Sequence, residues 1–438
     1  MDAKSLAKTI FEAAVKSVLP EKMIRNHVLL RGSTLYISGT PIPLVAIDNI
    51  YVIGAGKASA SMAKEIENIL GNKIAGGHIV TKYGHGCKLQ YIEISEAGHP
   101  MPDSNGYTAT KKILDIAKHS SANDLVICLI SGGGSSLLAD FPEESNIQDI
   151  IILNDLLLKS GADIKEINTV RKHLSKIKGG QLATATYPAM LFSLILSDVV
   201  GDSLEVIASG PTVPDTTTFE DAVKVLEKYN LVAEAPNLLV NHLQNGKEGI
   251  YPETPKWENP LFDQTKNITV GSNKMALEAA YKKATELGLN SYIVTSELEG
   301  DTIEIAKNLM NTTITFQNDI TFKKPCCLVF GGETTVKIDG PGTGGRNQHL
   351  ALVCSLLLKN KNGITLLAAG TDGNDGPTTV AGAVVDTQTF ERASQQGLNI
   401  EKYLQNFDSF HFFEKAGGHI ITGPTMTNVM DIIVVIVE

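Results

Sequence analysis

The sequence predicts an α/β protein made of two three-layer α/β/α domains with mostly parallel, Rossmann-like sheets. Three observations carry that prediction. Short, almost wholly apolar runs such as Asp124–Ile130 and Leu191–Leu196 alternate with longer stretches of helical period; strands without polar alternation belong to parallel sheets covered on both faces. Several runs open into glycine-rich turns that lead to a helix, as at Gly54-Ala-Gly-Lys57 and Ser131-Gly-Gly-Gly134, which is how βα units read. With 438 residues, 43% hydrophobic and 20% charged, the chain has material for two cores and no bias toward disorder.

Composition also limits function. A net charge of −10 argues against a nucleic-acid or anionic-membrane partner, since either needs a basic surface. Cys87, Cys128, Cys326, Cys327 and Cys354 show no CxxC spacing and stand mostly in apolar contexts. They read as reduced core residues of an intracellular, cytoplasmic protein. The first residues, MDAKSLAKTIFEAAVKSVL, form an amphipathic helix pattern with lysines spread through it, so neither a signal peptide nor a membrane span is expected.

After this helix (apolar at Leu6, Ile10, Ala14 and Val18) come short strands near Val28–Leu30 and Leu35–Ile37, then the first βα unit. Ile50–Ile53 is its strand, GAGK its turn, and Met62, Ile66, Ile69 and Leu70 the buried stripe of its helix, closed by Gly71. Lys57 therefore points at whatever the turn cradles. The turn completes neither GxxxxGK[ST] nor GxGxxG, and the next strand, His78–Val80, ends in Thr81-Lys82 where a ribose-binding acid would stand. That speaks against a nicotinamide cofactor. The segment EISEAGHPMPD (93–103) is either a rigid surface turn or a pocket wall carrying His99.

Helix 106–118 leads to the strand ending in Ser131-Gly132-Gly133-Gly134-Ser135-Ser136. Its N–H groups and hydroxyls suit a phosphate cradle; a structural tight turn is the plain alternative. It is not a nucleophile elbow, because Leu137 stands where GxSxG needs glycine. Helices follow over 147–159 and about 164–185. The second carries Lys165, Arg171, Lys172, His173, Lys176 and Lys178 against Glu166 alone, either a solvated face or one that steers an anionic substrate. Asp198 leaves the end of Leu191–Leu196, with Asp202 four residues on: a metal ligand, a general base, or a turn-forming acid. Residues 241–267, rich in Asn, Pro and Lys, read as the boundary between domains 1–245 and 246–427.

The second domain repeats the alternation, with strands at 267–270, 291–294 and 326–330. In LVFGGETTVKIDGPGTGGRNQHLAL (328–352), Glu333 stands where the chain leaves the sheet. The glycines of 340–345, including Gly342, Gly344 and Gly345, are expected to take φ > 0 and turn N–H groups toward an anion. Leu350, Val353, Cys354, Leu357 and Leu358 set a helix whose N-terminus holds Arg346 and Asn347. The functional reading is a phosphate site with an acid near enough to hold a metal; the alternative is a glycine-rich hairpin with a surface arginine. Strand Ile364–Ala368 ends in GTDGNDGP. As a calcium loop this fails, with Pro377 and Ala383 where glycine and glutamate are required. Asp372 is the better candidate, for magnesium or for orienting a hydroxyl. The last strand, within 428–438, is left free to rejoin the first domain's sheet.

Glycine nests, a lysine and an arginine at turns, and acids at three strand ends are what in-line phosphoryl transfer asks for, since its loose transition state is stabilised by positioning and charge. No HExxH or His/Cys metal spacing appears.

GAGKAS (54–59), HPMPD (99–103), SGGGSSLL (131–138), RKHLSKIKGGQLA (171–183), SDVVGDSLEVIASGPTVPD (197–215), GGETTV (331–336), GPGTGGRNQ (340–348), AAGTDGNDGPT (368–378) and TGPTMTN (422–428) resemble the signature blocks of the glycerate 2-kinase (class II glycerate kinase) family. The match runs in order from about residue 5 to the end. The resemblance implies ATP- and magnesium-dependent phosphorylation of D-glycerate at its 2-hydroxyl, on two α/β domains with the active site in the cleft between them. By position it implies that Lys57 and Arg346 contact the transferring phosphoryl group or the glycerate carboxylate. Asp198, Glu333 and Asp372 would hold magnesium or orient the hydroxyl, and Gly132, Gly133, Gly134, Ser135 and Ser136 would hold phosphate. The chain departs from the family pattern at Gln181, where arginine is expected, and at Met426 and Met430, where glycine and asparagine are more usual. An NAD(P)H-dependent hydroxypyruvate reductase and a non-catalytic nucleotide or hydroxy-acid binder are the alternatives; the oligomeric state is open, a homodimer included.

Overall fold

The computed structural model describes all of Met1–Glu438. The chain divides into two compact units: a central one, Met23–Val270, and a terminal one made of Met1–Lys22 with Gly271–Glu438.

The central unit starts with a small antiparallel sheet of β1 (Val28–Arg31), β2 (Thr34–Ile37) and β3 (Thr40–Pro43). Its main sheet contains β4 (Ile50–Ala55), β5 (Ile74–Lys82), β6 (Glu93–Ala97), β7 (Leu125–Ile130), β8 (Met190–Leu196) and β9 (Thr265–Gly271), in the order β6-β5-β4-β7-β8-β9. This is the order of the doubly wound dinucleotide folds. The β4–β5, β5–β6, β4–β7 and β7–β8 pairs are parallel. All six residues of β7 are buried, as a strand between two helical layers must be. Ile113 and Ala117 of helix Ser104–His119 and Leu182 of helix Gln181–Thr186 join Val126, Cys128, Ile130 and Leu191 in one core cluster. The chain runs from β4 outward to β5 and β6, then returns to β7 on the other side. Ligands of such sheets bind outside the carboxyl ends of the strands at that switch, and the turns after β4 and β7 lie there.

The terminal unit is a mixed sheet of β10 (Asn290–Asp301), β11 (Cys326–Thr335), β12 (Ile364–Gly370), β13 (Gly382–Asp386), β14 (His419–Ile420) and β15 (Asp431–Val437), ordered β10-β11-β15-β12-β13-β14. Only β10–β11 is parallel; β15 lies antiparallel between β11 and β12. Helix Arg346–Leu357 is buried over most of its length, with Leu350, Leu352, Cys354 and Leu358 in the core with Phe330, Leu366 and Val435.

Three expectations are corrected. The boundary falls at Val270/Gly271, not 245/246, because β9 completes the central sheet and holds the 241–267 segment to it. The last strand sits in the middle of the terminal sheet, where its apolar residues are covered on both sides, and it runs antiparallel to both neighbours. The basic helix ends at His173, and Gly179 and Gly180 turn the chain at φ 56° and 79° before a separate helix, Gln181–Thr186. Its cations are mostly engaged: Lys172 with Asp215 (3.1 Å), Lys178 with Asp140 (3.1 Å), Lys176 with Glu143 (2.5 Å). Lys165 and Arg171 have no acid partner, Arg171 donating through Nε to Asn154 Oδ1 at 2.7 Å.

Candidate active site

At the switch of the central sheet, four predicted elements meet. The Lys57 N–H donates to the Gly132 carbonyl (2.9 Å), which ties the turn after β4 to the turn after β7. Gly133 is left-handed at φ 81°, and the N–H groups of Gly132, Gly133, Ser135 and Ser136 donate to no other group of the chain. A Cβ on Gly132 would stand 1.7 Å from Asp198 Oδ2; one on Gly133 would stand 2.8 Å from the His99 ring and 3.3 Å from Lys57 Cε. Lys57, Asp198 and His99 thus close around bare backbone, and any side chain there would fill the cradle.

Electrostatics follow from that crowding. Loss of water raises the pKa of the Asp198 carboxyl above the ordinary carboxylate range, and the Lys57 charge pulls it back only in part. Burial first, then Lys57 and Lys82, push His99 down to about 4, so its imidazole is neutral near pH 7. Ser135 and Ser136 differ. The Ser209 hydroxyl donates to Asn168 Oδ1 (2.9 Å), so the 2.8 Å bond between Ser135 and Ser209 uses the Ser135 proton. Phosphate donors on this turn are therefore the N–H groups and Ser136. Ala208 and Ser209 are both at positive φ (52° and 60°), and Ala208 presses against Gly134; such strain in non-glycine residues persists where surrounding structure over-determines it.

The terminal unit gathers a second set. Arg346 reaches Asp431 through Nε–Oδ2 (2.6 Å) and Nη2–Oδ1 (3.0 Å), and Glu333 through Nη1–Oε1 (2.7 Å). Burial works against the Arg346 charge, but Asp431, Glu333 and Asp375 outweigh it and hold the guanidinium protonated. Asp372 Oδ1 accepts the Asn374 N–H at 3.1 Å. It lies 3.3 Å, and Asp431 Oδ1 3.4 Å, from where a Cβ of Gly370 would be, so these acids share one corner with Arg346.

The expected anion nest does not form here. None of Gly340, Gly342, Gly344 and Gly345 adopts positive φ. Their bareness serves close packing: a Cβ on Gly342 would stand 2.4 Å from the Asn406 carbonyl, on Gly344 2.1 Å from Ser409 Oγ, and on Gly345 2.3 Å from the Asp375 carboxyl. The helix N-terminus is already capped, since the Asn347 and Gln348 N–H groups donate to Asp375 at 3.0 and 2.8 Å.

Two buried acids of this corner, Asp431 and Asp375, are not singled out by the sequence. Asp431 looked like the residue before an apolar strand; only the antiparallel insertion of β15 puts it opposite Gly332 and Gly370. Asp375, 2% exposed and the cap of helix Arg346–Leu357, is the structural acid of the loop that carries Asp372.

No group of three or more His, Cys, Asp or Glu side chains could hold a metal ion unaided. Magnesium in phosphoryl-transfer sites arrives on substrate phosphates and needs only one or two carboxylates. The donor chemistry of Asp372 fits that, whereas Glu333 is tied to Arg346.

A doubly wound sheet with a lysine, an acid and a bare glycine turn at its switch defines a phosphate-handling α/β protein. A family model described as a domain of unknown function (DUF4147) matches residues 6–244, and the MOFRL family model matches 326–431. The glycerate 2-kinase of Pyrococcus horikoshii is 40% identical over 440 residues, covering 100% of this chain and 98% of that protein. The D-glycerate 2-kinase of Thermotoga maritima is 40% identical over 434 residues, covering 98% and 97%. A crystal structure of a glycerate kinase from Thermotoga maritima superposes with TM-score 0.89 at 39% identity, covering 99% of each chain. The chain belongs to the glycerate 2-kinase family. No helix is long and apolar enough to cross a membrane.

Proposed function

We propose that the protein is a kinase that moves the γ-phosphoryl group of ATP to the 2-hydroxyl of D-glycerate, giving 2-phosphoglycerate and ADP. The observation that carries this reading is the meeting of Lys57, Asp198 and the Gly132–Ser136 turn at the switch of the central sheet. The kinase names of the relatives support it. One relative, from Agrobacterium vitis at 37% identity, is named only provisionally as a hydroxypyruvate reductase.

The turn's four N–H donors and Ser136 bind phosphate oxygens. The Lys57 ammonium neutralises charge that moves onto the transferring group, the largest help a protein gives this chemistry. Asp198 accepts the hydroxyl proton; its raised pKa brings it toward the operating pH, as a general base needs. Arg346, held by Glu333 and Asp431, is the fixed positive charge of the terminal unit. Asp372 would hold magnesium, which when bound supplies charge neutralisation.

The test is a phosphorus-31 NMR time course with ATP, magnesium and D-glycerate. Growth of a 2-phosphoglycerate resonance that stops on chelation supports the reading in full. A 3-phosphoglycerate resonance would overturn the choice of hydroxyl, and NADH-dependent loss of hydroxypyruvate without any transfer would replace the kinase with a reductase.

A further inference from the structure

Beside the phosphate turn, the central unit holds a cavity of about 230 Å³ that starts at Ser135 and Ser136 and runs between helices Ile147–Lys159 and Ile164–His173. Its far walls are apolar: Ile147, Ile150, Leu153, Leu157, Val170 and Leu174. Pro100 and Pro102, which follow His99, close the near side. A three-carbon hydroxy acid gains nothing from such walls, since its polar groups would lose water without replacement. A flat, largely apolar ring gains much, and ligand sites combine such walls with a few placed polar groups.

Arg171 supplies the placed group. Its Nε donates to Asn154 Oδ1 at 2.7 Å, its Nη groups have no partner in the chain, and no carboxylate lies within salt-bridge reach. Both residues line the cavity. A guanidinium left without an acid in a half-buried apolar pocket is poised for a π face or ring nitrogens, on which its planar fork stacks or donates.

We propose that this cavity receives the adenine ring of the nucleotide, with Arg171 against the ring and the phosphates leading back to the Gly132–Ser136 turn. The assignment rests on the kinase reading above and gives the nucleotide's direction in the central unit. Asn154, whose carbonyl is fixed by Arg171, keeps its amide for a ring nitrogen or the ribose.

The experiment is photolabelling of the full-length protein with 8-azido-ATP, with peptide mapping by mass spectrometry, alongside transfer assays. Label confined to residues 147–174, and chased by ATP but not by D-glycerate, is the expected result. Label in 271–438, chase by D-glycerate, or transfer from 8-azido-ATP without label in 147–174 would each overturn the site. Label in 147–174 without any phosphoryl transfer would keep the site and remove the kinase reading; loss of both would remove both. As a second arm, Ile150→Trp, at a partly exposed position, should raise KM for ATP at least ~10-fold while KM for D-glycerate holds, the size expected for blocking one apolar subsite. An unchanged KM for ATP would count against the cavity.

Discussion

Gly132 and Asp198 touch across the carboxyl ends of β7 and β8: a methyl group on the glycine would stand 1.7 Å from Asp198 Oδ2. The acid can rest on the phosphate turn only because the turn has no side chain there. Gly132→Ala is therefore expected to push Asp198 aside and lower kcat by ~10²-fold, the usual cost of displacing a reacting group by about 1 Å. Steady-state kinetics beside a thermal melt would check it, and wild-type kcat in a folded variant would remove Asp198 from the chemistry.

Arg346→Ala takes away a charge stabiliser and should lower kcat by ~10³-fold. It also leaves Asp431, 3% exposed, without its charge partner and with only the Asn347 amide, which should cost about 3 kcal/mol in denaturant unfolding. Asp431→Asn repeats the loss of aim with less loss of stability. A kcat decrease under about tenfold for Arg346→Ala would take the arginine out of the transfer step.

The two serines of the turn separate by role. Ser135→Ala breaks the chain of hydroxyls through Ser209 to Asn168 and should lower stability by about 1 kcal/mol with little change in KM for ATP. Ser136→Ala should raise KM for ATP and leave the melting temperature alone. Reversed effects would mean that Ser135, not Ser136, faces phosphate.

His99 gives a signed pH dependence. Its folded pKa, pushed down to about 4 by burial and then by Lys57, lies below the ordinary value of 6.5. Between those values the unfolded chain takes up a proton that the folded chain refuses, so this residue makes stability fall as pH drops from 6.5 toward 4. Melts across that window should flatten in His99→Gln relative to wild type; equal slopes would mean that His99 is not held neutral.

Both methionines that depart from the family pattern are left-handed: Met426 at φ 61° and Met430 at φ 66°. Glycine and asparagine tolerate that conformation, whereas a long side chain is strained by roughly 1–2 kcal/mol. Met426, 37% exposed, can be changed cleanly. Met426→Gly should raise stability by about 0.5–1 kcal/mol once the added freedom of the unfolded chain is subtracted. A lower melting temperature would mean that Met426 makes contacts worth more than its strain.

Lys57, Gly132–Gly134 and Asp198 were legible because each follows a buried parallel strand, and parallel strands bring their carboxyl ends to one edge. The same logic failed in the terminal unit. A strand that enters antiparallel carries its functional acid at its amino end, so Asp431 was hidden behind the rule that worked for Asp198. Glycines were ambiguous for a related reason. Gly133 is needed for its left-handed φ, whereas Gly342, Gly344 and Gly345 are needed for contact with Asn406, Ser409 and Asp375, and a glycine in a sequence does not say which. Lys172 and Lys178 looked like surface charge because Asp215 and Asp140, which neutralise them, lie more than thirty positions away.

The placement of β15 bears on the order in which the protein can be made. The terminal sheet has a gap between β11 and β12 until Asp431–Val437 fills it, and helix Ala3–Ser17 packs on that same unit. During synthesis the central unit has every strand of its sheet once residue 271 has left the ribosome. The first helix, made before all of it, must wait through more than four hundred further residues for its sheet to close. Until then its buried face, with Ile10, Phe11 and Ala14, can meet helix Asn273–Glu286 but not the completed sheet, and chaperone occupancy on nascent chains should stay high over that interval.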